Sequence, residues 1–258
     1  MNDRSTDLSD VARLALRCLD LTELTDTCSE HAVDGLITKA LDPRGSVAAI
    51  CVWPQFVSRV SAGLRGSTVR VATVANFPAG TSEIERVIDD VGEALGDGAH
   101  EIDLVLPYKA FREGDANVGG EMISSVRDVV DQGRLLKVIL ETGELATPSL
   151  IAAASRLAIE AGADFLKTST GKTTISATPE AVEIMLQEIK KAGRPVGIKP
   201  SGGIRTLADA ALYLELADRT LGAGWATPRT FRFGASSLYD SLVAAIDGET
   251  RSTGTGAP

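Results

Sequence analysis

The chain has little of what most metal, redox and nucleic-acid sites are built from. Its 258 residues include two histidines, His31 and His100, and three cysteines, Cys18, Cys28 and Cys51. The histidines lie far apart and fit no HExxH or His-x-His pattern. A zinc site or a Ser-His-Asp triad would need unusual ligands or partners. The cysteines are odd in number and form no CxxC, which argues against a disulfide framework and fits a reducing compartment. Aromatics make up only 4% of the chain, too few to suggest stacking platforms for single-stranded nucleic acid. Basic residues are the minority, with 26 Lys plus Arg against 35 Asp plus Glu and a formal net charge of −9. Such a surface repels phosphate backbones and anionic lipid. No apolar run approaches the roughly 20 residues of a membrane helix. The polar, acidic start MNDRSTDLSD is the wrong opening for a secretory signal. The expectation is a soluble, cytoplasmic protein with no nucleic-acid or membrane partner.

What remains is ordinary globular composition, 44% hydrophobic and 24% charged, in a chain of a length that suits a single α/β barrel. Short β-rich runs alternate with longer helical patterns. Strands are predicted at Leu19–Thr22, Val47–Trp53, Val69–Asn76, Glu101–Pro107, Leu135–Thr142, Phe165–Thr170, Val196–Pro200 and Phe231–Ser236. Their starts recur roughly every 30 residues, the size of a βα unit. Helix signals lie between them: Thr81-Ser82-Glu83 opens one that ends by Gly96 to Gly98, Thr147-Pro148 another that stops at Gly162, and Thr178-Pro179-Glu180 a third that ends at Gly193. Asp7–Cys18 predicts an extra helix before the first strand. Eight such units predict a (β/α)8 TIM barrel with that helix added, and a doubly wound open sheet is the alternative. Residues 1–246 are expected to form one barrel domain and 247–258, rich in Gly, Ser and Thr, a flexible tail.

Strand parity favours the barrel. Ile102, Leu104 and Leu106 share one parity while Glu101 and Asp103 take the other; Leu136, Val138 and Leu140 oppose Lys137 and Glu141. Side chains alternate faces along a strand, and strands of an open doubly wound sheet should be apolar on both. Seven charged residues, Asp20, Glu101, Asp103, Lys137, Glu141, Lys167 and Lys199, therefore have inward parity. One reading is a structural ion-pair network filling the barrel. The sharper one is an active site around a lysine of lowered pKa, because burial and a neighbouring ammonium both disfavour the charged amine. Lys167 and Lys199 lie on consecutive predicted strands and Asp103 can move protons. Parity and spacing do not decide which lysine is the nucleophile. Three consecutive βα loops then offer small residues and backbone amides: Thr168 to Lys172, Ser201-Gly202-Gly203, and Gly234 to Ser237. Barrels often bind phosphate in the last of these loops, and Ser236-Ser237 precedes the apolar run Leu238–Ile246, whose helix N-terminus would favour an anion. A P-loop is excluded, since its first glycine would fall on Leu166.

At these residues the chain resembles the deoxyribose-phosphate aldolases. Phe165 to Lys172 is similar to the family's Schiff-base lysine segment, and the likeness extends to Glu101-Ile102-Asp103-Leu104-Val105, Gly197 to Arg205, Asp20-Leu21-Thr22 and Phe231 to Ser237. Ala72 to Pro78 and Leu136 to Gly143 are familial as well, so the resemblance runs from about Leu16 to Leu242. It implies a metal-independent, cofactor-free class I aldolase, a carbon–carbon lyase on a (β/α)8 barrel. It further implies reversible cleavage of 2-deoxy-D-ribose 5-phosphate to D-glyceraldehyde 3-phosphate and acetaldehyde in deoxyribonucleotide breakdown, by a homodimer. By motif position Lys167 is the imine-forming nucleophile, Lys199 lowers its pKa, and Asp103 is the acid/base residue, working with a water. Gly171, Lys172, Gly202, Gly203, Ser236 and Ser237 are expected to hold the phosphate, with Thr22 and Thr170 placed for hydroxyls or water.

Other residues carry plainer readings. Lys137 is expected to be an ion-pair partner for Asp103 or Lys167, Cys51 a small buried filler, and Asp20 and Glu141 charges that hold the lysines. Arg205 is expected to start or cap a helix, Trp53 and Trp225 to pack, and His31 and His100 to be structural or exposed. Two departures from the family pattern stand out. There is no tyrosine after Tyr239, which implies slower proton transfer or transfer through water, and Thr25 stands where the family usually has Asn. Two rivals keep the same lysines in view: another Schiff-base or proton-transfer reaction on a small sugar phosphate, and a pentose-phosphate-binding barrel without turnover. Pure binding, however, needs neither a buried nucleophile nor a neighbour that lowers its pKa.

Overall fold

The structure, a computed structural model, describes residues 8–131 and 133–248. Eight parallel strands form one sheet: β1 (Leu19–Glu23), β2 (Ala49–Val52), β3 (Arg70–Ala75), β4 (Glu101–Val105), β5 (Leu135–Ile139), β6 (Phe165–Lys167), β7 (Gly197–Lys199) and β8 (Phe233–Ala235). Neighbours pair in sequence order from β1 to β7, and β8 pairs with β1. Closure between β7 and β8 is made by the Ile198–Phe231 and Ser201–Gly234 bridges, with Arg232 N donating to the Ile198 carbonyl at 2.9 Å. The architecture is the (β/α)8 barrel, and the open sheet is ruled out. Helix Leu8–Arg17 precedes β1 and packs on the last helix, Leu238–Ile246.

Each predicted strand is present, but most are shorter. β4 ends at Val105, β5 at Ile139 and β6 at Lys167, where two to three more residues were expected. The reason is local. Glu141 turns into the left-handed region at φ 57°, and polar Thr168 to Thr170 leave the ladder to form the rim. The helix-opening threonines behave as their chemistry dictates: Thr147 and Thr178 accept from the amides of Leu150 and Ala181, each followed by Pro at the first helical position. Thr81-Ser82-Glu83 does not. Helix Ile84–Gly96 has no side-chain cap, and Thr81 instead bonds the Asn76 side chain. Of the expected tail, Asp247 pairs with Arg44 at 2.7 Å, and 249–258 lie outside the described residues.

Two layers of packing divide the residues as parity requires. Ile102, Leu104, Leu136, Val138, Leu166 and Ile198 face the surrounding helices in one apolar core. The opposite parity faces the barrel axis, where Ala49, Cys51, Ala72 and Val74 leave room for long charged side chains from the other strands. Small residues there are obligatory. A Cβ on Gly197 would lie 2.3 Å from the Phe165 ring, and one on Gly234 would lie 3.0 Å from Lys199 Cε. Among the described residues no helix is long and apolar enough to cross a membrane.

Candidate active site

The barrel register brings the charged residues together. Asp103 pairs across from Lys137, and Lys167 directly across from Lys199. Asp103 is the hub. Its Oδ1 accepts from Lys137 Nζ at 2.8 Å, and its Oδ2 from Lys167 Nζ at 2.8 Å and Lys199 Nζ at 2.7 Å. Lys137 also contacts Glu101 Oε2 at 2.7 Å and Asp20 Oδ2 at 3.5 Å, while Lys199 reaches Asp20 Oδ2 at 2.6 Å. Arg232 closes the cluster from below, 2.6 Å from Asp20 Oδ1 and 2.9 Å from Glu101 Oε1. All seven residues are buried.

The charges do not balance. Lys137, Lys167, Lys199 and Arg232 are four cations against the three carboxylates Asp20, Glu101 and Asp103. One must be neutral for the cluster to carry no net charge in a medium where an unpaired charge is expensive. The contacts say which one. Lys137 touches three carboxylates, and Lys199 and Arg232 two each, but Lys167 has one carboxylate oxygen and shares it with Lys199. Burial lowers the Lys167 pKa, Asp103 opposes the shift, and the Lys199 ammonium adds to it; the net direction is down. For Lys199 burial also disfavours the charge, but Asp103 and Asp20 overcome it and raise the pKa, so this ammonium persists. Burial likewise works against Asp103 as an anion, and Lys137, Lys167 and Lys199 together hold it well below the usual carboxylate range.

Above the cluster, at the C-terminal ends of the strands, a cavity of about 430 Å³ opens to solvent. Among the described residues Lys167 is the only lysine that lines it. Around it stand Thr22 from β1 and Thr170, Gly171, Ser201, Gly202, Gly203, Gly234, Ser236 and Ser237 from the three expected loops, joined by Arg205. Thr22 donates to the Asp20 carbonyl at 2.8 Å, which leaves its hydroxyl oxygen able to accept from a ligand; Thr170 donates to Glu141 Oε2 and accepts from Lys172 N at 3.0 Å, which leaves it one lone pair. Gly202 sits at φ +82°, and a Cβ there would strike Ser176 Oγ at 2.5 Å. Ser237 occupies the N-cap of helix Leu238–Ile246 without a side-chain cap bond, which leaves its hydroxyl and the first amides available to an anion.

Two expected placements differ, those of Lys172 and Glu141. Lys172 is not in this cavity. Its ammonium pairs with Asp26 at 2.7 Å and lies over the Trp53 ring, because a long flexible stem in an exposed loop finds the nearest carboxylate. Glu141 does not hold the lysines. It accepts from Thr170 N and Oγ1 and from Thr173 Oγ1, fixing the loop after β6. Thr206, with Asp209 in a capping box, is the cap of helix Leu207–Leu221, and Arg205 precedes it. Thr25 is exposed and bound to Glu23, outside the cavity. Cys51 is buried, with Sγ 4.0 Å from Asp103 Oδ2, and burial raises its pKa. His100 is structural, its Nδ1 accepting from Val71 N at 3.0 Å, and His31 is exposed. Trp53 packs edge-on to Phe77, and Trp225 against the main core. Arg232 escaped the sequence reading, although the alternation Phe231-Arg232-Phe233-Gly234 gives it inward parity.

Comparison with known proteins agrees with this geometry. Residues 14–241 match the family model of the DeoC/LacD family aldolases. The deoxyribose-phosphate aldolase of Agrobacterium fabrum is 48% identical over 240 residues, covering 93% of each chain. A crystal structure from Coccidioides immitis, provisionally described as a deoxyribose-phosphate aldolase, superposes with TM-score 0.80 at 31% identity over 94% of this chain and 87% of that one. The tetrameric deoxyribose phosphate aldolase of Aeropyrum pernix gives TM-score 0.76 at 25% identity, covering 93% of this chain and 97% of its own. With the match running through nearly every strand and through the lysine–aspartate cluster, the chain belongs to the DeoC/LacD family of aldolases.

Proposed function

We propose that the protein is a deoxyribose-phosphate aldolase that reversibly cleaves 2-deoxy-D-ribose 5-phosphate to D-glyceraldehyde 3-phosphate and acetaldehyde through an imine on Lys167. The observation that carries this reading is Lys167 Nζ, 2.8 Å from an Asp103 oxygen that also holds Lys199, at the floor of a cavity rimmed by three small-residue loops. The neutral Lys167 amine attacks C1 of the open-chain sugar, and loss of water gives the imine. Asp103, through a water, takes the proton of the C3 hydroxyl as the C2–C3 bond breaks. The electron pair moves into the protonated C=N, a better sink than C=O, and glyceraldehyde 3-phosphate departs. The remaining enamine takes a proton at C2, and hydrolysis releases acetaldehyde and frees Lys167.

Asp103 is the group within reach of Lys167 Nζ, and it relays protons during carbinolamine formation and dehydration. Lys199 stays cationic and keeps Lys167 from being permanently charged. Lys137, Asp20, Glu101 and Arg232 hold Asp103 and Lys199 in place. Backbone amides of Gly171, Gly203, Ser236 and Ser237 receive the phosphate, and Gly202, whose amide donates to the Gly234 carbonyl, shapes the cradle. Lys172 joins them by leaving Asp26, an exposed pair worth little by itself. A homodimer, implied by the family resemblance, belongs to the same reading.

The deciding experiment is borohydride reduction in the presence of acetaldehyde, followed by peptide mapping. A two-carbon adduct on Lys167 is the expected result, and an unmodified Lys167 beside an active enzyme sinks the mechanism. Ribose 5-phosphate as a competing substrate tests the sugar: a preference for it rejects the deoxy-sugar assignment.

Glu141 supplies a separate prediction. Its carboxylate hydrogen-bonds Thr170 and Thr173 and forms no ion pair with Asp103's lysines, although it feels the Lys167 charge. Glu141→Ala frees the loop that carries Gly171 and Lys172. The KM for the phosphorylated substrate is expected to rise about tenfold, the equivalent of ~1.4 kcal/mol, with a smaller change in kcat. Steady-state kinetics that show kcat falling alone would place Glu141 in the chemistry instead.

A further inference from the structure

At the end of the barrel opposite the Lys167 cavity lies a larger hollow, of about 820 Å³. It opens beneath the N-terminal ends of the strands. Arg70, Glu101 and Leu135 are the first residues of β3, β4 and β5, and Arg232 immediately precedes β8. Helix Leu8–Arg17 brings Arg13, Leu16 and Arg17 to it, and the loop before β8 brings Pro228 and Arg229. Six arginines line it: Arg13, Arg17, Arg44, Arg70, Arg229 and Arg232.

Pairing elsewhere in the molecule sets four of these apart. Among the described residues nine arginines reach a carboxylate, and Arg194 is engaged by the carbonyls of Ile159 and Ala163. Six remain: Arg13, Arg17, Arg65, Arg70, Arg205 and Arg229. Arg205 faces the active-site cavity. Of the other five, all but Arg65 line the basal hollow. Among the described residues Arg70 donates to the Gly133 carbonyl, outside the hollow, at 3.5 Å. The sequence has an excess of acids, net −9, yet among the described residues no carboxylate forms an ion pair with these four guanidiniums. Buried Arg232 is neutralised by Asp20 and Glu101, whereas these four guanidiniums are exposed at the hollow and open to a ligand.

A concave cationic surface with low-dielectric walls concentrates anions. The guanidinium fork matches phosphate oxygens in two parallel hydrogen bonds. The volume lies in the range of sites for small organic ligands, and Leu16, Val47 and Leu135 give it an apolar side. We propose that this basal hollow binds a phosphorylated small molecule with at least two negative charges, held by Arg13, Arg17, Arg70 and Arg229. The buried ion cluster of Arg232, Glu101, Lys137 and Asp103 separates it from Lys167, so the ligand sits across that cluster from the chemistry and does not enter the catalytic cavity.

Pyrophosphate is the probe, titrated calorimetrically at low ionic strength, where screening is weak. The parent protein is expected to take up one more equivalent than Arg17→Glu/Arg229→Glu. The control Arg65→Glu/Arg86→Glu changes the net charge equally, away from the hollow, and is expected to retain that equivalent. Circular dichroism checks that each variant is folded, and Arg17→Gln/Arg229→Gln replaces the first if it is not. Equal stoichiometry in parent and Arg17/Arg229 variant overturns the proposal. Equal loss in both variants overturns it too, since net charge alone would then explain uptake. Competition by ADP or by ribose 5-phosphate supports it and separates a nucleotide from a sugar phosphate as occupant; competition by neither overturns the reading of an organic ligand.

Discussion

Lys167→Leu is expected to abolish aldol cleavage, by on the order of 10⁴-fold or more in kcat, while leaving the protein as stable as the parent or more so. The first half follows from covalent catalysis, since without the amine no imine forms and the carbonyl is a poor sink. The second half follows from the charge count. Lys167 is the fourth cation against three carboxylates, and its pKa is lowered by burial and by Lys199. A lysine whose folded pKa lies below its unfolded one opposes folding wherever the unfolded chain is protonated, which is everywhere below about pH 10.4. Leucine removes that opposition and fills similar space. A coupled cleavage assay and a urea melt at neutral pH read the two halves. A variant that keeps activity, or one that melts several kcal/mol lower, contradicts the assignment of Lys167 as the strained amine.

Lys199→Leu is expected to do the reverse to stability and something different to activity. The Lys199 pKa is raised, with burial overcome by Asp103 and Asp20. Its charge therefore supports the fold fully below the unfolded value near 10.4 and ceases to do so as pH rises through the higher folded value. At neutral pH the variant loses that support and leaves Asp20 and Asp103 short of a buried partner, a loss of about 3–5 kcal/mol. In activity the signature is the pH profile. Removing a neighbouring ammonium raises the Lys167 pKa, and Asp103, no longer shared, pulls it the same way. The limb on which activity rises should move to higher pH, with rate recovered in alkaline buffer. Comparison of kcat/KM profiles across pH checks this, and an unshifted limb with uniformly low rate would reduce Lys199 to a structural residue. The contrast between the two variants matters more than either alone, because two lysines facing each other on β6 and β7 respond in opposite directions.

Much of this site is legible from the linear chain for one reason. In a parallel barrel, parity alone decides which side chains face the axis. Asp103, Lys137, Lys167 and Lys199 each interrupt an apolar strand at inward parity, and each arrives in the cluster. The rim loops are legible too, since Gly and Ser after β6, β7 and β8 have few other uses in such numbers. Parity does not set distance or partner choice. It could not show that Asp103 binds all three lysines at once, that Glu141 leaves its strand at φ 57° to hold Thr170, or that Lys172 pairs outward with Asp26. These depend on where strands stop and how loops fold back, which follow from contacts remote in sequence.

The sequence by itself determined the eight strands, favoured the barrel over the open sheet, and placed most of the inward charges, all but Arg232, because these rest on periodicity and short-range turn chemistry. Only the tertiary structure decided which lysine is left short of a carboxylate. That outcome depends on closing β8 onto β1 and β7, which delivers Arg232 to Asp20 and Glu101 and makes the cluster one cation in excess. Charge balance in a buried site is a property of the whole ring, and no single strand carries it.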